Sequence, residues 1–157
     1  MLLSGLWKGG ILDYNKEKAF LKSVEKAEDK TNFRQIPKKE RLSQILNAYP
    51  TLPQDYIHYL QEIGSGNFRE SQFKVMDYLF DLTSLGIEND YGIKPNVKFF
   101  GDNFAGDFSG FDLDNNDGLV VEFWHETGQL YYTGQTFKNY IRQQMLMDVD
   151  GNDERIK

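Results

Sequence analysis

The spacing of apolar residues changes once along the chain, near residue 71, and this change restricts the fold more than any other feature. Before it, apolar side chains recur at helical spacing over residues 14–29, 37–50 and 53–64. The middle segment lies between prolines and has an apolar stripe formed by Leu42, Ile45, Leu46 and Tyr49. In the third segment, Pro53 suits the first helical position and Gly64 suits the left-handed residue that ends a helix. Three helices are therefore predicted in this half.

After residue 71 the apolar pattern is that of strands. Candidate strands are QFKVMDYLFDL, VKFFG, DFSGFDL, LVVEFWHE and LYYTG, and the polar turns DNNDG and ETGQ join the last three. Thr136 is predicted to cap a final helix, TFKNYIRQQML. Helices first, an antiparallel meander second and a closing helix last predict an α+β fold.

Composition limits the class of protein. A chain of 157 residues is long enough for one domain with a sizeable core, and the absence of cysteine excludes disulfides and thiolate metal sites. The N-terminal stretch MLLSGLWKGGILDY has no basic residue before its short apolar run, which Lys8 interrupts. We therefore expect a cytoplasmic protein with no signal peptide and no membrane partner.

The acidic residues are concentrated in one segment. The net charge is −6, and no Lys or Arg occurs between Lys98 and Lys138. Such a field repels nucleic acid and attracts cationic partners, so nucleic-acid binding is not expected. Strand alternation places Trp124 on the same face as Glu122, where it can serve as a protein-binding anchor. The predicted partner-binding residues are Asp102, Asp107, Asp112, Asp114, Asp117, Glu122, Trp124 and Glu126.

A calcium site is the first alternative for these acids, because DLDNNDG resembles the start of an EF-hand loop. Counted from Asp112, position 6 is Asp117 instead of glycine, and position 12 is Phe123 instead of an acid. An acidic hairpin turn accounts for DNNDG without a metal. No metal and no cofactor are predicted.

A catalytic carboxylate pair is the second alternative, formed by Asp102 with Asp107 or by Asp112 with Glu122. Sequence spacing does not show whether either pair lines a cleft, and solvated carboxylates are the more common case. His58 and His125 are the only histidines, and neither lies in a nucleophile or zinc motif. The stretch GSGNF lacks the lysine of a phosphate loop and is interpreted as a helix-ending turn. No enzyme is predicted.

The order of several motifs resembles that of the SMI1/KNR4, or SUKH, superfamily. The matching segments are LPQDY with IGSG after it, FGDNFAGDF with a following FD, GLVVEFWH, and FKNYI. The resemblance covers about residues 37–146 of a single domain, 1–157. Residues 1–36 are then an N-terminal helical extension, and residues 148–157 are expected to form a frayed tail.

The resemblance implies an α+β fold with a mixed, mainly antiparallel sheet flanked by helices, and it implies no catalytic residues. Bacterial members are mostly immunity proteins that bind and silence a cognate polymorphic toxin, often a nuclease or deaminase, and others are regulatory scaffolds. The acidic segment suits a basic toxin that targets nucleic acid. The leading hypothesis is therefore a cytoplasmic immunity protein with a cognate toxin as its partner. A regulatory scaffold or adaptor is the alternative, a carboxylate-dependent hydrolase is the third, and the oligomeric state stays open.

Overall fold

One antiparallel sheet organises the protein. In the computed structural model, which describes residues 13–87, 91–115 and 117–154, seven strands follow one another across the sheet in sequence order. They are β1 (Arg34–Gln35), β2 (Ser65–Phe68), β3 (Phe73–Phe80), β4 (Val97–Asp102), β5 (Phe108–Asp112), β6 (Leu119–Trp124) and β7 (Gln129–Thr136). Every described pairing is antiparallel, so the predicted α+β meander is confirmed, without the parallel pairing of a mixed sheet.

The predicted helices are also confirmed. They are α1 (Asn15–Val24), α2 (Lys39–Ala48), α3 (Gln54–Glu62) and α4 (Phe137–Met145). Thr136 caps α4 as expected, because its Oγ1 accepts a hydrogen bond from the backbone N–H of Asn139 at 3.2 Å. Pro53 immediately precedes α3, one position earlier than predicted.

The interpretation of GSGNF as a turn alone is wrong, since four of its residues form β2. Gly64 does end the helical region with a φ of +101°, but the chain then continues extended. A Cβ on Gly66 would lie 2.2 Å from the carbonyl oxygen of Phe33, so glycine is what allows the chain before β1 to approach β2. Phe68 is fully buried and stacks on Phe73 with 5.4 Å between ring centroids. The glycines of this stretch therefore serve close strand packing.

Both faces of the sheet are covered. Neighbouring residues of a strand point to opposite faces, and Phe99 and Phe100 of β4 are each fully buried. Phe100 belongs to the larger hydrophobic cluster, which the four helices share with the sheet. Phe99 belongs to a smaller cluster, to which Leu82 and Ile93 contribute from the described parts of the connection between β3 and β4, residues 81–87 and 91–96. The two clusters together account for the buried side chains on both faces of the central strands.

The N-terminal extension takes part in the core from residue 13 onward. Tyr14 is fully buried, and its hydroxyl donates to the carbonyl of Asp55 at 2.6 Å. Glu17 of α1 is also fully buried and forms an ion pair with Arg142 of α4. The first twelve residues of the predicted extension, 1–12, lie outside the described residues.

The C-terminal tail is folded as far as Glu154, contrary to the expectation of a frayed tail. Met147 and Asp153 form an isolated antiparallel bridge, and the N–H of Glu154 donates to the carbonyl of Leu146 at 2.9 Å. The carboxylate of Asp148 accepts from the backbone N–H groups of residues 150 and 152. These bonds satisfy the backbone of a compact turn, and the prediction is corrected for residues 148–154.

Candidate partner-binding site

The structure divides the acidic segment between two opposite ends of β4, β5 and β6. Asp107 immediately precedes β5 and Asp112 is its last residue, so the strand separates them by about 17 Å at 3.3 Å per residue. One end, called the Trp124 end, holds Asp102, Asp107, Glu122, Trp124 and Glu126. The other, called the Asp112 end, holds Asp112, Asp114 and Asp117. The eight predicted residues therefore do not form one cluster.

Asp112 does not offer its carboxylate to the surface. Its side chain is 2% exposed, and its Oδ2 accepts from Lys94 Nζ and from the Tyr132 hydroxyl, each at 2.7 Å. Lys94 reaches it from the loop that covers the smaller hydrophobic cluster. The predicted contact role of Asp112 is therefore corrected to a structural one, in which the carboxylate fastens this loop to β5 and β7.

We expect Asp112 to make stability depend on pH in the acid range. Burial opposes its ionisation, but the bonds from Lys94 and Tyr132 outweigh burial and hold the pKa of Asp112 below its ordinary value. The ionised carboxylate thus stabilises the fold at neutral pH, and this contribution is lost as pH falls through the lowered pKa. Asp112→Asn should lower the free energy of unfolding at neutral pH and flatten its decline below about pH 4.

Urea denaturation across the acid range measures this effect. Asp114→Asn is the matched control, since Asp114 is exposed in the same turn and accepts a side-chain hydrogen bond from Asn96 Nδ2 at 2.7 Å. An Asp112→Asn protein with the wild-type pH profile would show that the Lys94 contact contributes nothing to stability.

The remaining acids of the Asp112 end are turn residues. Asp117 is exposed, and its Oδ1 accepts from the backbone N–H of Leu119 at 3.0 Å. Gly118 follows with a φ of +69°, as an acidic hairpin turn requires, and Asn116 lies outside the described residues. Within the described ranges, no three His, Cys, Asp or Glu residues converge as metal ligands would.

At the Trp124 end, Asp107 and His125 join two neighbouring turns. Oδ1 of Asp107 accepts from the backbone N–H of His125 at 3.0 Å and from its ring at 2.8 Å. Because a carboxylate only accepts, Nδ1 of His125 carries the proton in this contact. Partial burial opposes ionisation of Asp107, but these bonds outweigh it and hold its pKa below the ordinary value.

A small pocket opens between β5, β6 and α4 at the same end. Glu122 is half-buried there: its Oε2 accepts from the Tyr140 hydroxyl at 2.6 Å and its Oε1 from Trp124 Nε1 at 3.0 Å. The Tyr140 hydroxyl also lies 2.5 Å from the buried Oγ of Ser109. The pocket has a volume of ≈ 110 Å³, and Asp107 forms part of its wall. We call it the Glu122 pocket.

Tyr140 holds Glu122 in place and was not predicted as a site residue. Burial, reinforced by the Glu122 carboxylate, raises the pKa of the Tyr140 hydroxyl, so it stays protonated and donates to Glu122. In the sequence, Tyr140 belongs to the apolar stripe of the closing helix, and only its hydroxyl distinguishes it from a core residue. No motif in the sequence identifies Ser109 as a site residue.

Trp124, which lines the pocket, belongs to an exposed aromatic pair. Trp124 is 39% exposed and stacks on Tyr131 of β7, which is 49% exposed, with 5.1 Å between centroids. The predicted sharing of a face by Trp124 and Glu122 is confirmed by their hydrogen bond. Trp and Tyr are enriched at the energetic centres of protein interfaces. The acids of the Trp124 end together with Trp124 and Tyr131 are called the Trp124 surface.

The pocket suits binding better than hydrolysis. It does bring Asp107 and Glu122 together, but a glycosidase acid needs a raised pKa and that of Asp107 is lowered. Its ≈ 110 Å³ is also well below the roughly 300–1,000 Å³ of typical ligand clefts. The geometry gives no support to the carboxylate-dependent hydrolase.

The helices, the antiparallel sheet and the exposed acidic and aromatic strand ends define an α+β protein with a surface suited to binding. A sequence model of the SMI1/KNR4 family (SUKH-1) matches residues 36–143, and the chain belongs to this family. No curated protein and no solved structure gives a match. The family is in general non-catalytic and acts through immunity or adaptor roles, which implies a protein partner. Of the described helices, none has both the length and the apolar character needed to cross a bilayer.

Proposed function

We propose that this protein is a cytoplasmic immunity protein that binds a cognate toxin through the Trp124 surface and neutralises it without catalysis. The observation that supports this most is the exposed Trp124–Tyr131 pair beside the carboxylates of Asp102, Asp107, Glu122 and Glu126. Aromatic rings supply the area that an interface buries, and the surrounding acids select a partner of opposite charge.

The charge pattern favours a basic toxin that acts on nucleic acid. Such toxins carry Lys and Arg where they grip phosphates, and an acidic inhibitor presents them with a similar field. No Lys or Arg occurs from residue 99 to residue 137, although Lys94 pairs with Asp112 and Lys74 of β3 lies opposite Asp102 in the sheet. Asp114 and Asp117 then act from the Asp112 end as distant charges and not as contacts.

Co-expression with toxin-like products of the neighbouring genes tests this proposal. We expect one of these products to kill cells alone and to be harmless together with this protein. A neighbourhood without any such product, or toxicity that this protein does not relieve, would contradict the immunity role. Stable binding to a neighbouring product that is not toxic would favour the adaptor role instead.

Association should depend on the charges nearest the Trp124 surface. We expect Asp102→Asn with Glu126→Gln to lower the association rate constant about threefold or more at low salt, with little change in dissociation. Surface plasmon resonance at low and high salt measures both constants. Salt should reduce the difference, because the Debye length falls from ~10 Å at 0.1 M to about 3 Å at 1 M.

Asp114→Asn with Asp117→Asn provides the matched control, because it removes the same number of charges from the Asp112 end. A smaller effect of this control pair is expected. Equal effects of the two pairs would show that only net charge matters and that the Trp124 surface does not face the toxin.

A further inference from the structure

The Glu122 pocket contains a negative charge that the protein itself leaves unbalanced. Four other buried or half-buried carboxylates face a cation: Glu17 with Arg142, Glu25 with Arg34, Asp81 with Lys98, and Asp112 with Lys94. Among the described residues, no Lys or Arg lies within ion-pair distance of Glu122. Its two donors, the Tyr140 hydroxyl and Trp124 Nε1, are both neutral.

The carboxylates on the pocket wall can accept further hydrogen bonds. An ionised carboxylate offers about four lone-pair sites, and Glu122 uses two of them. Oδ1 of Asp107 is occupied by His125, whereas the contact of Oδ2 with a described residue is a long one, 3.5 Å to Asn103 Nδ2. The wall therefore offers several acceptor positions to a donor-rich cation.

Size and lining narrow the choice of cation. The ≈ 110 Å³ volume exceeds the ~10–15 Å³ that one water needs, but it admits only a small group. Trp124 forms part of the wall, and arginine combines a planar fork of five donors with a preference for stacking on aromatic rings. Lysine is a compact charge with stronger hydration and does not match a set of dispersed acceptors.

We propose that the Glu122 pocket binds the guanidinium group of an arginine side chain on the protein partner. The identity of the partner rests on the proposed function, but the chemistry of the pocket does not. Glu122 accepts from the guanidinium, Oδ2 of Asp107 accepts from a second N–H, and Trp124 packs against the planar group. Tyr140 keeps Glu122 oriented.

An NMR titration with N-acetyl-arginine-N-methylamide tests the pocket without any toxin. The indole N–H of Trp124 donates to Glu122, so its signal reports directly on the pocket. Trp124→Phe assigns this signal, since Trp7 is the other tryptophan. We expect a saturable shift with the arginine probe, and Glu122→Gln should weaken binding about tenfold or more.

Two probes and one variant serve as controls. The citrulline counterpart has nearly the same shape but no charge, and the lysine counterpart has the charge without the fork; both should bind more weakly. Asp117→Asn at the far end should not change the titration. No shift with arginine, equal shifts with citrulline or lysine, or an unchanged titration of Glu122→Gln would each overturn the proposal.

The outcome separates this proposal from the immunity role. If the protein binds arginine but protects against no toxin, the arginine pocket is supported and the proposed immunity role is contradicted. Protection by wild type and by Glu122→Gln alike, with a silent titration, would remove the arginine pocket and leave the immunity role.

Discussion

Trp124→Ala is expected to weaken binding of the proposed toxin partner by about 2 kcal/mol or more, which is roughly a thirtyfold rise in the dissociation constant. The indole is 39% exposed, stacks on Tyr131 and forms part of the Glu122 pocket, so its removal takes away apolar area and a pocket wall together. The loss should appear mainly as faster dissociation, because contact area affects the bound state more than the encounter.

Surface plasmon resonance with the toxin domain measures this effect. Phe33→Ala is the matched control: Phe33 is 65% exposed but lies next to β1, at the opposite edge of the sheet. It should leave both rate constants unchanged. Urea unfolding of the Trp124→Ala protein should confirm a stable fold. Wild-type dissociation of the Trp124→Ala protein would show that this ring is not an anchor.

Glu17→Ala is expected to have the largest effect on stability. Removing one partner of a buried ion pair typically costs about 3–5 kcal/mol, because the other charge is left uncompensated. Glu17 is fully buried, whereas Arg142 keeps 20% of its side chain exposed, so the lower end of this range is expected. Against a typical total stability of about 5–15 kcal/mol, this is a large fraction. Urea denaturation measures it through the midpoint and slope.

Two variants show whether the pair itself is responsible. Lys18→Ala breaks the partly exposed pair between the same helix and Glu62, with 3.3 Å between Nζ and Oε1, and should cost about 1 kcal/mol or less. Replacing Glu17 and Arg142 together with methionine should recover most of the lost stability, since neither charge remains. A Glu17→Ala protein as stable as wild type would contradict the assignment of α1 to the folded core.

Local patterns were sufficient to predict most of the fold. The stripes of α2, α3 and α4 and the alternation of β5 and β6 depend on neighbouring residues, and the sequence contains them directly. The pairing of β1 with β2 joins residues about thirty positions apart, such as Arg34 and Gly66. Such a contact leaves no periodic pattern in the local sequence. The two glycines in GSGNF are typical of a turn, so a turn was predicted where β2 forms.

The candidate site could be predicted only as a set of residues. The number of acids can be read from the sequence. Their separation cannot, because it depends on the length of β5, which places Asp107 and Asp112 at its opposite ends. The buried carboxylate of Asp112 is paired with Lys94, which a loop brings from another part of the chain. The contact of Tyr140 with Glu122 likewise requires α4 to pack on β6. These are tertiary relations, and spacing in sequence does not encode them.

The immunity role is tested by titrating the activity of the toxin with the purified protein. The toxin is the one that co-expression identifies, and its activity is measured against the molar ratio of the two proteins. We predict a linear fall to complete inhibition at one equivalent, with Trp124→Ala requiring an excess and the Phe33→Ala control matching wild type. Full toxin activity at a large molar excess of this protein would contradict the account.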